Sequence, residues 1–133
     1  MQSKIVARFQ DGRLKKGISN DFMPNKDLFH LVPAGTLPGA RPEDISMRDL
    51  KAVFFVKDYA GNPNYADKKE FNPAKPAAGR KIKVLFADGE LLIGTTQGYQ
   101  PGRPGFFVFP ADPQSNIDRC YVVSSAAREV SLL

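Results

Sequence analysis

The sequence predicts an all-β fold made of two small five-stranded barrels in tandem, packed together. Three observations carry that prediction. Residues 4–56 reappear as residues 81–133 at a constant shift of 77 with no insertion, so one unit is made twice. Asp11-Gly12 and Asp88-Gly89 each sit between apolar-alternating runs, the strongest short-range hairpin signal. Gly and Pro contribute 11 residues each, which favours short strands and turns over long helices. The predicted organisation is a first unit over residues 1–57, a connector over 58–80 and a second unit over 81–133.

The elements follow in chain order. Strand one turns Ile5, Ala7 and Phe9 inward, and Ile82, Val84 and Phe86 in the second copy, while Lys4, Arg8, Lys81 and Lys83 point the other way. The Asp-Gly corner leads into strand two, over residues 13–22 and 90–99, with Gly17 and Gly94 at the middle where a small residue permits a sharp bend. Strand three covers residues 28–32 and 105–109, and Pro33 and Pro110 end it. Strands four and five fall at residues 44–48 with 50–57, and at 120–124 with 128–132. A unit of 53 residues buries too little surface to be comfortably stable alone, so the copies should pack on one another. The connector, rich in Pro, Lys and Ala, reads as an extended crossing that Tyr59, Tyr65 and Phe71 tack down.

Charge and cysteine usage narrow the function. A net charge of +5 with a pI near 9.4 favours an anionic partner without demanding one. The excess is uneven: residues 4–56 hold nine Lys and Arg against six Asp and Glu, residues 57–80 five against three, and residues 81–133 five against five. Cys120 is the only cysteine, so an intramolecular disulfide or a Cys-x-x-Cys zinc site is excluded, and it reads as a small buried hydrophobe. A strand-like alternation starts by Lys4 with no signal-peptide run, and no window reaches membrane-spanning length; a cytoplasmic protein with no membrane association is expected.

The pattern Ile82-x-Val84, Asp88-Gly89, Leu91, Gly94, Tyr99 and the closing Tyr121-Val122-Val123-Ser124-Ser125-Ala126 resembles the Sm and Sm-like fold, which includes a bacterial RNA chaperone; SH3-like barrels share much of it. The resemblance implies an RNA-binding superfamily whose contacts come from loops after strands two and four. This sequence departs from it there, with Arg48-Asp49 and Ser124-Ser125 in place of the Sm loop residues, and it lacks the N-terminal helix. The whole chain also resembles an uncharacterised bacterial family carrying Asp-Gly-Arg, Phe-His-Leu and a segment like Asp49-Leu50-Lys51-Ala52-Val53-Phe54-Phe55-Val56.

No catalytic, cofactor or metal site is expected. His30, the only histidine, maps onto Phe107 and reads as a partly exposed strand position; Asp11, Asp21, Asp88 and Asp112 lie at turns. Gly98 to Gly105 is Gly-rich but lacks a P-loop or dinucleotide fingerprint, and so reads as a wide hairpin loop. The features of a PilZ-type cyclic-dinucleotide site are missing. Two functions remain. Weak binding of RNA or single-stranded DNA would use the basic first copy, through Arg8, Arg13, Lys15, Lys16 and Lys26, with His30 and neighbouring aromatics stacking on bases. The alternative is a protein-interaction or assembly module in signalling, forming homo-oligomers through exposed strand edges; the runs at residues 52–56 and 105–109 exceed what one small core needs.

Overall fold

A computed structural model of the chain describes residues 3–24, 26–35, 41–57, 79–100, 102–111 and 117–132. It is all-β. Ten strands are described: β1 (Ser3–Phe9), β2 (Leu14–Ser19), β3 (Leu28–Pro33), β4 (Glu43–Ser46), β5 (Leu50–Val56), β6 (Arg80–Phe86), β7 (Leu91–Thr96), β8 (Gly105–Pro110), β9 (Ile117–Val123) and β10 (Ala127–Leu132). Single 3-10 turns at Met47–Asp49 and Ser124–Ala126 join β4 to β5 and β9 to β10.

All ladders are antiparallel and form one sheet in the order β10-β6-β7-β8-β9-β5-β1-β2-β3-β4. Among the described residues this sheet is open, with β10 and β4 as its edges, and no ladder closes either half on itself. The ten strands thus join in a single continuous sheet. The cause lies in β5, whose free side is taken by β9 through Val53↔Tyr121 and Phe54↔Cys120. The registers in the two halves correspond at the 77-residue shift: Ile5↔Gly17 with Ile82↔Gly94, Gly17↔Pro33 with Gly94↔Pro110, and Ala7↔Val53 with Val84↔Val130. Even the bulge in the β1–β5 ladder at Arg8/Phe9 recurs in the β6–β10 ladder.

Local chemistry explains the corners. In both hairpins the Asp carboxylate accepts the N–H two residues on, Arg13 to Asp11 at 3.0 Å and Glu90 to Asp88 at 3.0 Å. Only the glycines take positive φ, +94° at both Gly12 and Gly89, so the turn needs one left-handed residue rather than two. Gly17 and Gly94 are there for space: a Cβ would lie 2.2 Å from the Val32 carbonyl oxygen and 2.0 Å from that of Phe109. β2 stops at Ser19, short of the predicted Phe22, and Phe22 packs instead against Phe107 and Tyr121 of the second half. The second half starts at Arg80, one residue before the repeat boundary, while the connector with Tyr59, Tyr65 and Phe71 lies outside the described residues.

Two cores flank the β5–β9 ladder and share it. Ile5, Ala7, Phe9, Phe29 and Leu31 of the first half pack with Val53 and Phe55, and also with Tyr121 and Val123 from β9. Ile82, Val84, Phe86 and Val108 of the second half pack with Val6, Ala52, Phe54 and Val56 from the first. Every residue of β5 is buried, which accounts for the unusual apolar run at residues 52–56. Lys51, buried at the start of this strand, places Nζ 2.7 Å from Asp88 Oδ2 and 2.5 Å from Glu90 Oε1, with the Phe86 ring centroid 4.6 Å away. A buried ammonium needs such compensation, and here the partners sit on the opposite half's hairpin.

Because Phe54 belongs by sequence to one half and by packing to the other, Phe54→Ala should lower unfolding free energy by about 3–5 kcal/mol. Urea denaturation followed by circular dichroism and by tyrosine fluorescence should give coincident single transitions; two separable transitions would contradict the shared-core reading.

Candidate functional site

The six basic residues singled out in the sequence are dispersed. Arg13 bonds Asp11 through Nε at 2.7 Å and stands 5.0 Å from the Phe9 ring centroid. Lys15 joins the same place, 6.0 Å from the Phe9 ring, and pairs with Glu43 at 3.0 Å. Arg8 lies over Phe54 at 5.7 Å. Lys16 sits opposite Val6 on β2, and its carbonyl accepts the Ala34 N–H. Lys26 lines a cavity, and His30 is held between carboxylates. The structure therefore does not bring these residues into one patch, and two of the cations are matched by acids.

The segment from Ser19 to Pro24 forms a strap between the halves. Asp21 accepts the His30 backbone N–H at 2.9 Å, the Ser19 hydroxyl at 3.2 Å, and His30 Nδ1 at 2.6 Å; His30 Nε2 lies 3.3 Å from Asp44 Oδ1. Burial pushes the Asp21 carboxyl up, but these hydrogen bonds outweigh it and hold the group below its ordinary value. The hydrogen bond to Asp21 raises His30 above its ordinary 6.5, against partial desolvation and the Lys26 charge. Phe22 then inserts among Phe29, Phe55, Phe107 and Tyr121, with ring centroids 5.3–6.4 Å away and edge-on geometries. The Pro24 carbonyl accepts the Tyr121 hydroxyl at 3.2 Å. Gly105 makes room for this tyrosine, since a Cβ there would meet its ring at 2.4 Å.

Two cavities lie on either side of the Pro24–Tyr121 contact, and Pro24, Arg103 and Tyr121 line both. The larger, about 410 Å³, is lined by Lys26, Arg48 and Arg103, with Asp27 the one acid on its wall. Lys26 and Arg103 are 77 residues apart, as are Met47-Arg48 and Ser124-Ser125, and the loops and 3-10 turns that carry them converge there. Among the described residues Lys26, Arg48 and Arg103 make no ion pair; Arg103 is steadied by Gln100, its Nε donating to Oε1 at 2.8 Å. The second cavity, about 350 Å³, has Phe107, Phe109 and Arg119 on its walls. Arg119 stacks over Phe55 at 4.3 Å and Phe107 at 4.9 Å.

Over residues 1–133 the chain matches a family model described as a family of unknown function, DUF6982. The chain belongs to the DUF6982 family. No curated protein and no solved structure matches it. Chemically, the junction of this DUF6982 chain offers guanidinium and ammonium groups beside aromatic faces, a set suited to anions carrying planar rings. Among its described residues no three His, Cys, Asp or Glu are grouped to hold a metal ion. The Cys120 thiol is fully buried and its pKa is pushed up by desolvation, which suppresses the thiolate needed for nucleophilic chemistry.

Arg48, Arg103, Arg119 and Tyr121 are not among the site residues that the sequence singles out, because charge density points into the first half. A usable signal was present: Arg103 falls in the Gly98–Gly105 loop and aligns with Lys26 under the 77-residue shift.

His30 should titrate with a midpoint above 6.5, and Asp21→Asn should bring it back toward that value, as read by NMR of the imidazole protons. Since the folded pKa is the raised one, the pair's contribution is full below pH 6.5 and is lost as pH rises through the folded midpoint. A wild-type midpoint at or below 6.5 would contradict the Asp21 pairing.

Proposed function

We propose that this DUF6982 chain is a non-enzymatic binding module, built from two tandem five-stranded units of the Sm-like or SH3-like kind, whose junction takes single-stranded RNA or DNA. The observation that carries the reading is the convergence of Lys26, Arg48 and Arg103, from equivalent segments of both halves, on one cavity with a single acid. The tandem reading is supported by the strand order, β5-β1-β2-β3-β4 in one half and β10-β6-β7-β8-β9 in the other, with registers that match at the shift of 77. Unpaired cations next to exposed aromatic surface suit a phosphate backbone with unstacked bases. The first-half cluster suits it less well, because Arg13 and Lys15 are already neutralised by Asp11 and Glu43.

Fluorescence anisotropy with a labelled single-stranded oligonucleotide at low salt tests this. Arg48→Glu with Arg103→Glu should weaken binding at least about tenfold and flatten the log–log salt slope by about 1.4, for two lost phosphate contacts. Arg8→Glu with Lys15→Glu should change affinity much less. Failure of the wild type to bind, or equal weakening by both pairs, overturns the proposal.

A second reading, edge-to-edge assembly, has one specific observation behind it. The 77-residue correspondence places β10 and β4 of successive copies where β5 and β9 meet within one chain, with Val130 facing Asp44 as Val53 faces Tyr121. Against it, the counterpart of Lys51 is Arg128, which would meet Asp11 and Arg13 instead of two acids. Three chains would close a six-unit ring, and light scattering reads the outcome directly: a strict monomer removes this reading.

A further inference from the structure

We infer that the second cavity of the junction is a base-binding subsite, so that the ligand is a strand with one nucleobase drawn out of its stack into this chain. The inference rests on the nucleic-acid reading above and adds what the site recognises. Phe107 and Phe109 alternate with the core residues Phe106 and Val108 on β8, which puts them on one face of the sheet. On β9, Arg119 and Tyr121 alternate in the same way with Cys120 and Val122. The β8–β9 register pairs Phe107 with Tyr121 and Val108 with Cys120, so the next step sets Phe109 beside Arg119. A platform results, with an arginine between aromatic rings.

Arg119 has the character of a stacking group. Its guanidinium lies over two phenylalanine rings, and among the described residues no carboxylate pairs with it. A planar, delocalised cation held this way stacks on a nucleobase as readily as it takes a phosphate. Phe109, a large apolar ring, leaves 38% of its surface in solvent. Gln97 also lines the cavity and brings an amide that both donates and accepts, as a base edge requires. The cavity's roughly 350 Å³ falls at the small end of ligand sites. Arg103, common to both cavities, would hold the phosphate joining the bound base to the rest of the strand.

Among the described residues the site has no counterpart in the first half. At the shift of 77, the first half has His30, Val32 and Asp44 where the second has Phe107, Phe109 and Tyr121, and the carboxylates of Asp21 and Asp44 bracket that histidine. A negative, mostly non-aromatic surface does not accept a base beside a phosphate.

The test compares oligothymidylate of about six nucleotides with an abasic deoxyribose-phosphate strand of equal length, by competition against a labelled probe. The wild type should bind the base-bearing strand at least about tenfold more tightly than the abasic one. Phe109→Ala should cut that preference to below about threefold while leaving abasic affinity in place, Arg119→Gln should cut it as far while also weakening the abasic strand, and Phe109→Tyr should keep it. Arg103→Glu should weaken both strands. Equal affinity of the wild type for both strands sinks the base subsite but leaves the nucleic-acid reading standing, as does a preference that all these variants retain. If neither strand binds, both proposals fall together.

Discussion

The ladder between β5 and β9 is the constraint on which the molecule depends. Each strand is the inner edge of its own half, and β5 lends alternate residues to both cores: Val53 and Phe55 face one core, Ala52, Phe54 and Val56 the second. A strand buried on both faces reads as a continuous apolar run, and residues 52–56 have that form. Neither half could keep its core dry without the other, because Tyr121 and Val123 close the first core and Val6 with Phe54 completes the second. Lys51 adds direction to an otherwise greasy seam, since an ammonium buried there is tolerated only with Asp88 and Glu90 in reach.

Placing the seam in the middle of the sheet also decides where binding chemistry can gather. The turns and loops that connect equivalent strands emerge on the same side of the junction, which is why Lys26 and Arg103 line one cavity although far apart in sequence. The strap from Ser19 to Pro24 fixes the geometry. It is tied by Asp21 to His30 at one end and by the Pro24 carbonyl to Tyr121 at the other, with Phe22 wedged between. A cation next to such a strap is held in position with less entropy to lose on binding than one on a free loop.

Much of the fold was legible in the sequence because it depended on local rules. The Asp-Gly corners, the alternation in Ile5, Ala7 and Phe9, the closure of β3 and β8 at Pro33 and Pro110, and the burial of Cys120 all follow from turn chemistry and period-two patterning. Gly17 and Gly94 were legible as special positions, though their reason is a neighbouring carbonyl pressed against the Cα. What the pattern could not reveal was pairing between halves. Phe54 and Phe55 look alike in sequence, yet one serves each core, and only the register with β9 decides which. The candidate site was less legible for the same reason: charge density pointed to Arg13 and Lys15, whose acidic partners are close, whereas Arg48, Arg103 and Arg119 are scattered singly along the chain.

The seam has a bearing on how the chain must be made. β5 is complete long before residues 117–123 leave the ribosome, and until then its apolar edge is an unpaired template able to capture the same strand of another nascent chain. Its partner arrives late and from far along the sequence, a long closure that slows folding. A charged residue at the head of β5 is then a gatekeeper during synthesis: two copies of Lys51 brought together repel, whereas the native hairpin with its two carboxylates draws the strand into register.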